Sequence, residues 1–326
     1  MALLSNLDLV NECDNFPYDS DSDRDKFKAV VNGYYHFYLD GCTACLGYMT
    51  ASVAERMPLT QHWRLDRDTR RLVFQPRDDR GRPVPVEDVD TRSAILATYL
   101  QEVRERRVFG VLDGWRAERY PIYGPQRRLV LNMERSATPL FGVVTYGVHM
   151  TGYVETAPGE MKIWAPRRAL TKQTYPGMMD NTVAGGLSTG EKPFDCLVRE
   201  CEEEASLPAD LVRSAARACG TLTYFHVRDA RAGGETGLCQ PECQYIYDLK
   251  MPADVIPKPG DDEAIDFQLL TVPEIRHAMA EGRFKPNCAH LLLEFLVRHG
   301  FLTPENEPDY IEIVARLHRR LEFPTP

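Results

Sequence analysis

Between Gly185 and Leu207 the chain carries five glutamates (Glu191, Glu200, Glu202, Glu203 and Glu204) and one arginine, Arg199. From Phe194 onward, Phe194, Leu197, Val198, Cys201 and Ala205 recur at helical spacing and form an apolar stripe. Glu200, Glu203 and Glu204 fall on the other side at i, i+3 and i+4. Like charges so placed cost an isolated helix about 0.2–0.5 kcal/mol per pair. The cluster has a use if a hard divalent cation draws its oxygens together, since Mg²⁺ is held by carboxylates, waters and substrate phosphates. A solvated acidic helix face is the alternative.

The complete spacing favours the metal. Gly185, five residues, Glu191, seven residues, then Arg199-Glu200-Cys201-Glu202-Glu203-Glu204-Ala205-Ser206-Leu207 resembles the Nudix box at every charged position. The departure is Ser206, where the family has glycine because a left-handed residue closes the helix there. The likeness extends further. Trp164 with Pro166-Arg167-Arg168, then Thr171 to Gly177, then Asp180-Asn181 with Val183 to Gly186, is similar to the Nudix subgroup associated with thiamine pyrophosphokinase. So is Gly282 with Phe284 to Cys288. Gly114-Trp115-Arg116 and Glu118 resemble the domain of unknown function that precedes Nudix in those proteins. The resemblance covers residues from about 25 to 320.

The resemblance implies an α/β (α+β) chain, with a Nudix α/β/α sandwich on a mixed sheet preceded by a smaller α+β domain. It implies Mg²⁺, or Mn²⁺, held by Glu200, Glu203, Glu204 and the Gly185 carbonyl, with Glu191 assisting through water. Arg199 would orient the carboxylates, and Glu202 would face solvent. The implied reaction is attack of water on a diphosphate, which needs a proton acceptor. Asp261-Asp262-Glu263 supplies a candidate, Glu263 foremost, with plain solvation as the alternative. Arg167, Arg168 and Lys172 could grip the diphosphate, or lie on the surface. Thiamine pyrophosphate or its oxidised forms are the implied substrates. A cationic thiazolium suits aromatic faces, for which Tyr175, Tyr224, Phe225 and Tyr245 are available, if they are not core. Nucleoside diphosphate derivatives or oxidised nucleotides are a second reading. A non-catalytic diphosphate sensor is a third, against which the intact carboxylates argue. An isomerase would need a catalytic Cys–Glu pair that the sequence does not place.

Composition bounds these readings. The 326 residues carry a net charge of −9, with 43 % hydrophobic and 27 % charged residues, an ordinary soluble balance. The acidity argues against nucleic acid or an anionic membrane as partner. No apolar run reaches the ~18 residues of a membrane span. The opening residues hold Asp8, Glu12 and Asp14 without a basic stretch, unlike a secretory or transit leader, so the cytoplasm is expected. Nine cysteines are expected to be reduced thiols. Cys42/Cys45 with Cys239/Cys243 form a remote zinc candidate.

Four parts are expected. Residues 1–24 form a loosely held lead, ending in the acidic run Asp19 to Asp23. An N-terminal α+β domain spans 25–137, the Nudix domain 138–303, and a C-terminal helix and tail 304–326. Expected strands include Val30 to Leu39, Trp63 to Leu65, Arg71 to Phe74, Phe141 to Val154, Met161 to Ala165 (after a turn at Ala157-Pro158-Gly159), Asn181 to Ala184, Thr221 to Val227, Gln244 to Leu249 and Asp266 to Thr271. Helices are expected over Thr91–Arg107 with Asp90 or Thr91 as cap, over Val272–Ala280 and over Asn287–His299. A mixed sheet with helices on its faces is the natural assembly.

Overall fold

A computed structural model describes residues 3–20, 23–157 and 159–326. Asp21 and Ser22 of the acidic run, and Pro158 of the expected turn, lie outside the described residues. The N-terminal part runs α1 (Asn6–Cys13), α2 (Arg24–Val31), β1 (Tyr35–Leu39), β2 (Gly47–Met49), α3 (Ala51–Arg56), β3 (Trp63–Asp66), β4 (Arg71–Phe74), α4 (Val89–Glu105), β5 (Arg119–Gly124), β6 (Arg128–Glu134) and α5 (Thr138–Phe141). A four-stranded sheet of order β2-β1-β4-β3 and the hairpin β5-β6 result. Phe37, Leu72 and Phe74 of the sheet share a core with Leu96 and Leu100 of α4.

The second part runs β7 (Thr145–Ala157), β8 (Glu160–Arg168), β9 (Val183–Gly186), α6 (Pro193–Ala205), α7 (Ala209–Ala215), β10 (Ala216–Val227), β11 (Cys239–Lys250), β12 (Ala264–Thr271), α8 (Val272–Ala280), α9 (Pro286–Arg298) and α10 (Tyr310–Arg316). Its mixed sheet has the order β10-β11-β7-β8-β12, with β9 also on β7. Strand β7 is long enough to serve two antiparallel partners. Its first half pairs β9 (Gly147↔Gly186, Val148↔Gly185) and its second half pairs β8, while β11 lies parallel to it. Alternation then sorts the side chains between faces. Val148 and Met150 pack with Val198, Cys201 and Ala205 of α6, and Ile163, Leu222 and Ile246 pack with Leu292 and Phe295 of α9. No helix among the described residues is long and apolar enough to cross a membrane.

The sequence expectation fails at the N-terminus. Rather than a loose lead, α1 forms, capped by Ser5 and Asp8 in a reciprocal capping box. Leu9, Val10 and Cys13 are buried with α8 and α9. Past it, the Phe16 ring stacks on Phe225 of β10 at 4.0 Å. Asp14, fully buried, accepts the Phe225 N–H at 2.9 Å and pairs with the equally buried Arg319 at 3.2 Å. Phe16, Phe27 and Tyr48 thus share one cluster with Tyr146, Val148 and Phe225, across the boundary expected at 137/138.

Smaller differences have local causes. Val30 and Val31 end α2 rather than open a strand. Phe141 closes α5, which the left-handed Gly142 terminates before β7 begins. The α4 cap is Asp88, whose carboxylate accepts the Thr91 N–H.

Candidate active site

Helix α6 starts with Pro193 at its first turn, where a missing N–H costs nothing. It ends at Ser206, which adopts the left-handed conformation (φ 53°) in place of the family's glycine. The loop before β12 covers that end, since Lys258 N–H donates to Ala205 O and Gly260 N–H to Glu204 O. The helix is therefore fixed at both ends, and its acidic face lies over β9.

Arg199 gathers the carboxylates. Its Nε is 3.0 Å from Glu191 Oε1, and its Nη1 is 2.8 Å from Glu203 Oε2 and 3.0 Å from Glu200 Oε1. Glu204 accepts the Ala184 N–H at 3.0 Å. Burial pushes the Glu200 carboxyl up against the opposing pull of Arg199, with Glu203 adding repulsion. Burial, then Glu200, pushes Glu204 well above the carboxylate range. A side chain at Gly185 would bring its Cβ within 2.2 Å of Glu200 Cγ and Cδ, so only glycine lets β9 touch that carboxylate. Glu202 is exposed.

This donor set fits a hard cation chemically. The shielded Glu204 has no cation partner among the described residues, Glu200 shares the single charge of Arg199 with two other glutamates, and a glycine backbone edge lies against Glu200. The oxygens are not gathered into a ready ligand shell, however. Among the described residues no three His, Cys, Asp or Glu side chains form a group that could enclose an ion; Arg199 occupies the space between three of the glutamates. The same observation leaves the four cysteines of the zinc candidate unassembled. The cysteines are free thiols.

A cavity of about 480 Å³ opens beside this cluster, on the α9 side of the sheet. Arg116, Arg135, Gly185, Glu204 and Glu263 line both the cavity and the groove that holds Glu191, Glu200 and Glu203. Tyr175 and Tyr224 line the cavity, whereas Phe225 and Tyr245 pack in the opposite cluster. The Tyr175 backbone is left-handed (φ 50°), a strained state for a bulky residue, and its hydroxyl lies 3.2 Å from His226 Nε2. At the cavity floor, Glu242 accepts from the Tyr224 hydroxyl, Gln240 Nε2 and Gln244 Nε2. That ties down the Gln244 amide nitrogen and leaves Oε1 without a partner among the described residues. Gly147, opposite Gln244 on β7, keeps space open there, since its Cβ would lie 2.3 Å from that oxygen.

The three cations expected to grip substrate are mostly engaged elsewhere. Arg167 faces Asp266 on β12 at 3.6 Å and does not line the cavity. Arg168 lines it but is bound to Asp180 at 2.5 Å and to Thr174 O at 2.9 Å. Lys172 is paired with Glu263 at 2.5 Å. The sequence reading passed over Arg135, Glu242 and Gln244 as site residues. Arg116 lay inside the motif Gly114 to Glu118. Lys285 and Asn287 lay inside a quoted motif, the run Phe284 to Cys288. Nothing local marks Arg135, which reaches the site through tertiary packing.

Comparison with known proteins agrees with this geometry. The NUDIX domain family matches residues 147–289, and a domain of unknown function, DUF4743, matches residues 83–145. An uncharacterized Saccharomyces cerevisiae protein is 33 % identical over 330 residues, covering 98 % of this chain and 92 % of the yeast protein. Nudix hydrolase 20, chloroplastic, of Arabidopsis thaliana is 37 % identical over 65 % of this chain and 54 % of its own length. Nudix hydrolase 24, chloroplastic, of the same plant is 34 % identical over 64 % and 55 %, so the chain spans about half of each plant protein. The chain thus carries a Nudix domain over residues 147–289 with a DUF4743 segment ahead of it, and is a hydrolase acting on diphosphate bonds.

Proposed function

We propose that this chain is a cytoplasmic, magnesium-dependent diphosphatase that splits thiamine pyrophosphate or its oxidised derivatives into the monophosphate and phosphate. The observation that carries the reading is the wall shared by the 480 Å³ cavity and the carboxylate groove. A substrate crossing it would leave its organic half in the cavity and bring its phosphates beside α6. The cavity is of small-molecule size.

The floor fits a ring that donates hydrogen bonds. Gln244 lines the cavity and its Oε1 has no donor among the described residues, so a shift that opened this buried oxygen to an aminopyrimidine would pair it. Tyr175, Tyr224 and Glu242 all line the cavity, and aromatic and acidic groups together suit a cationic ring. An adenine amino group could satisfy the same oxygen, which keeps nucleoside diphosphate derivatives as the second reading.

Glu200, Glu203, Glu204 and the Gly185 carbonyl would hold Mg²⁺, which supplies charge neutralisation at phosphate and a more acidic water. Arg199 keeps Glu191, Glu200 and Glu203 in register. Glu263, on the shared wall, would take the proton of the attacking water. Glu202 takes no part.

The test is phosphate release by the purified protein with Mg²⁺ on thiamine pyrophosphate, its oxidised forms, ADP-ribose and an oxidised dNTP. Preference for the thiamine compounds is expected. Turnover of nucleotides alone would replace the substrate, and silence throughout would favour a sensor.

A further inference from the structure

We infer that the segment ahead of the Nudix domain supplies the diphosphate clamp of the active site, with Arg116 and Arg135 as its two jaws. The inference rests on the hydrolase reading of the same site and names the groups that would hold the substrate's phosphates.

Position is the first argument. Both arginines line the cavity and the carboxylate groove alike, so they stand where an organic group must give way to phosphates. Their side chains are 49 % and 42 % exposed, accessible at the wall of a concavity rather than packed into core.

Availability is the second. Arg168 and Lys172 are already committed to Asp180 and Glu263. Among the described residues the Arg116 guanidinium makes only a loose 3.5 Å contact with Glu263. Arg135 spends Nη1 on Glu118 at 2.9 Å, and its Nε and Nη2 make no hydrogen bond among the described residues. A guanidinium with free N–H groups donates to phosphate oxygens in bidentate fashion. Beside Glu200, Glu204 and Glu263, a diphosphate would be repelled unless such cations faced it.

Presentation is the third. Both residues sit at the open end of the β5–β6 hairpin, where Arg119 pairs with Glu134. Arg116 N–H donates to Glu134 Oε1 at 3.0 Å, and Arg135 N–H donates to Glu118 O at 2.8 Å. The hairpin is fastened to the loop before α6, because Ser188 Oγ donates to Glu118 Oε1 and Thr189 N–H donates to Arg119 O. Tyr120 lies over Gly186, where a Cβ would meet its hydroxyl at 1.6 Å. The jaws are thus fixed relative to β9 and α6 before any substrate arrives.

The experiment uses the full chain with Arg116→Ala, Arg135→Ala and Arg135→Lys. Lysine keeps the Glu118 pair if alanine fails to fold. Binding of inorganic pyrophosphate is measured by calorimetry in EDTA, where the arginines act without metal, and KM and kcat are measured with Mg²⁺ on the best substrate of the panel. Each variant is expected to weaken pyrophosphate binding and raise KM by about tenfold or more, with kcat changed much less. Pyrophosphate binding equal to wild type in Arg116→Ala and Arg135→Lys, or no binding by the wild type, would overturn the clamp. A wild type that hydrolyses nothing yet binds pyrophosphate through Arg116 would uphold the clamp and discard the hydrolytic reading of the site.

Discussion

The Lys172 ammonium lies 2.5 Å from Glu263 Oε2, with 13 % of the lysine side chain exposed. Burial alone would raise the Glu263 carboxyl, but the hydrogen bond and charge of Lys172, with Arg116 and Arg168 behind it, hold it below its usual range. If Glu263 accepts the water proton, Glu263→Gln lowers kcat by about 10²–10⁴. The acid limb of the kcat profile then lies below the ordinary carboxylate value of about 4.3. In Lys172→Met that limb moves to higher pH, because the charge favouring the ionised form is gone. Wild-type kcat in Glu263→Gln would transfer the role to another group.

Glu203 is 53 % exposed, and its ion partner is Arg199. Glu203→Gln keeps the side chain's shape, so stability should change by less than about 0.5 kcal/mol. Turnover should fall at least about a hundredfold if the carboxylate holds metal. EDTA should silence the wild type and Mg²⁺ restore it. Full activity in the variant removes Glu203 from the ligand set.

Removing residues 1–135 tests whether the Nudix portion stands alone. The deletion strips Phe16, Phe27 and Tyr48 from the cluster that covers Phe225 and Val148, and α1 from α9. An insoluble product is expected, because an apolar patch of that kind aggregates. A soluble fragment with native circular dichroism and cooperative melting would contradict the shared core.

His290 is fully buried in α9, both ring nitrogens lack partners among the described residues, and the ring meets Tyr224 edge-on at 5.8 Å. Burial brings its pKa down to about 4, with Asp14 opposing and Arg316 and His318 reinforcing. The unfolded chain, with a His pKa of about 6.5, binds the proton first as pH falls. Stability is therefore fully present above about pH 6.5 and lost toward about pH 4, by up to about 3 kcal/mol. Denaturant melts of His290→Leu should show a shallower loss over that window. An unchanged slope would mean other groups carry it.

The local patterns were legible where one physical rule dominated. The stripe from Phe194 to Ala205 predicted the buried face of α6, and Val272–Ala280 is a helix over the expected range. Ion pairing was not legible. Arg167, Arg168 and Lys172 look alike in sequence, yet one lies at a sheet rung, one is locked to Asp180 and one holds Glu263. Those fates depend on strands that meet only after folding. The opening residues misled because Asp8, Glu12 and Asp14 obscure three buried apolar positions, and one of the acids is itself interior.

The Asp14–Arg319 pair spans 305 positions of chain. At about 5–20 residues per second, a ribosome needs roughly 15–60 s to travel from one to the other. For nearly all of that interval the first helix has neither its charged partner nor α9 (Pro286–Arg298) to cover Leu9 and Val10. Helix α1 must therefore wait, its apolar face uncovered, until α9 and Arg319 have been made.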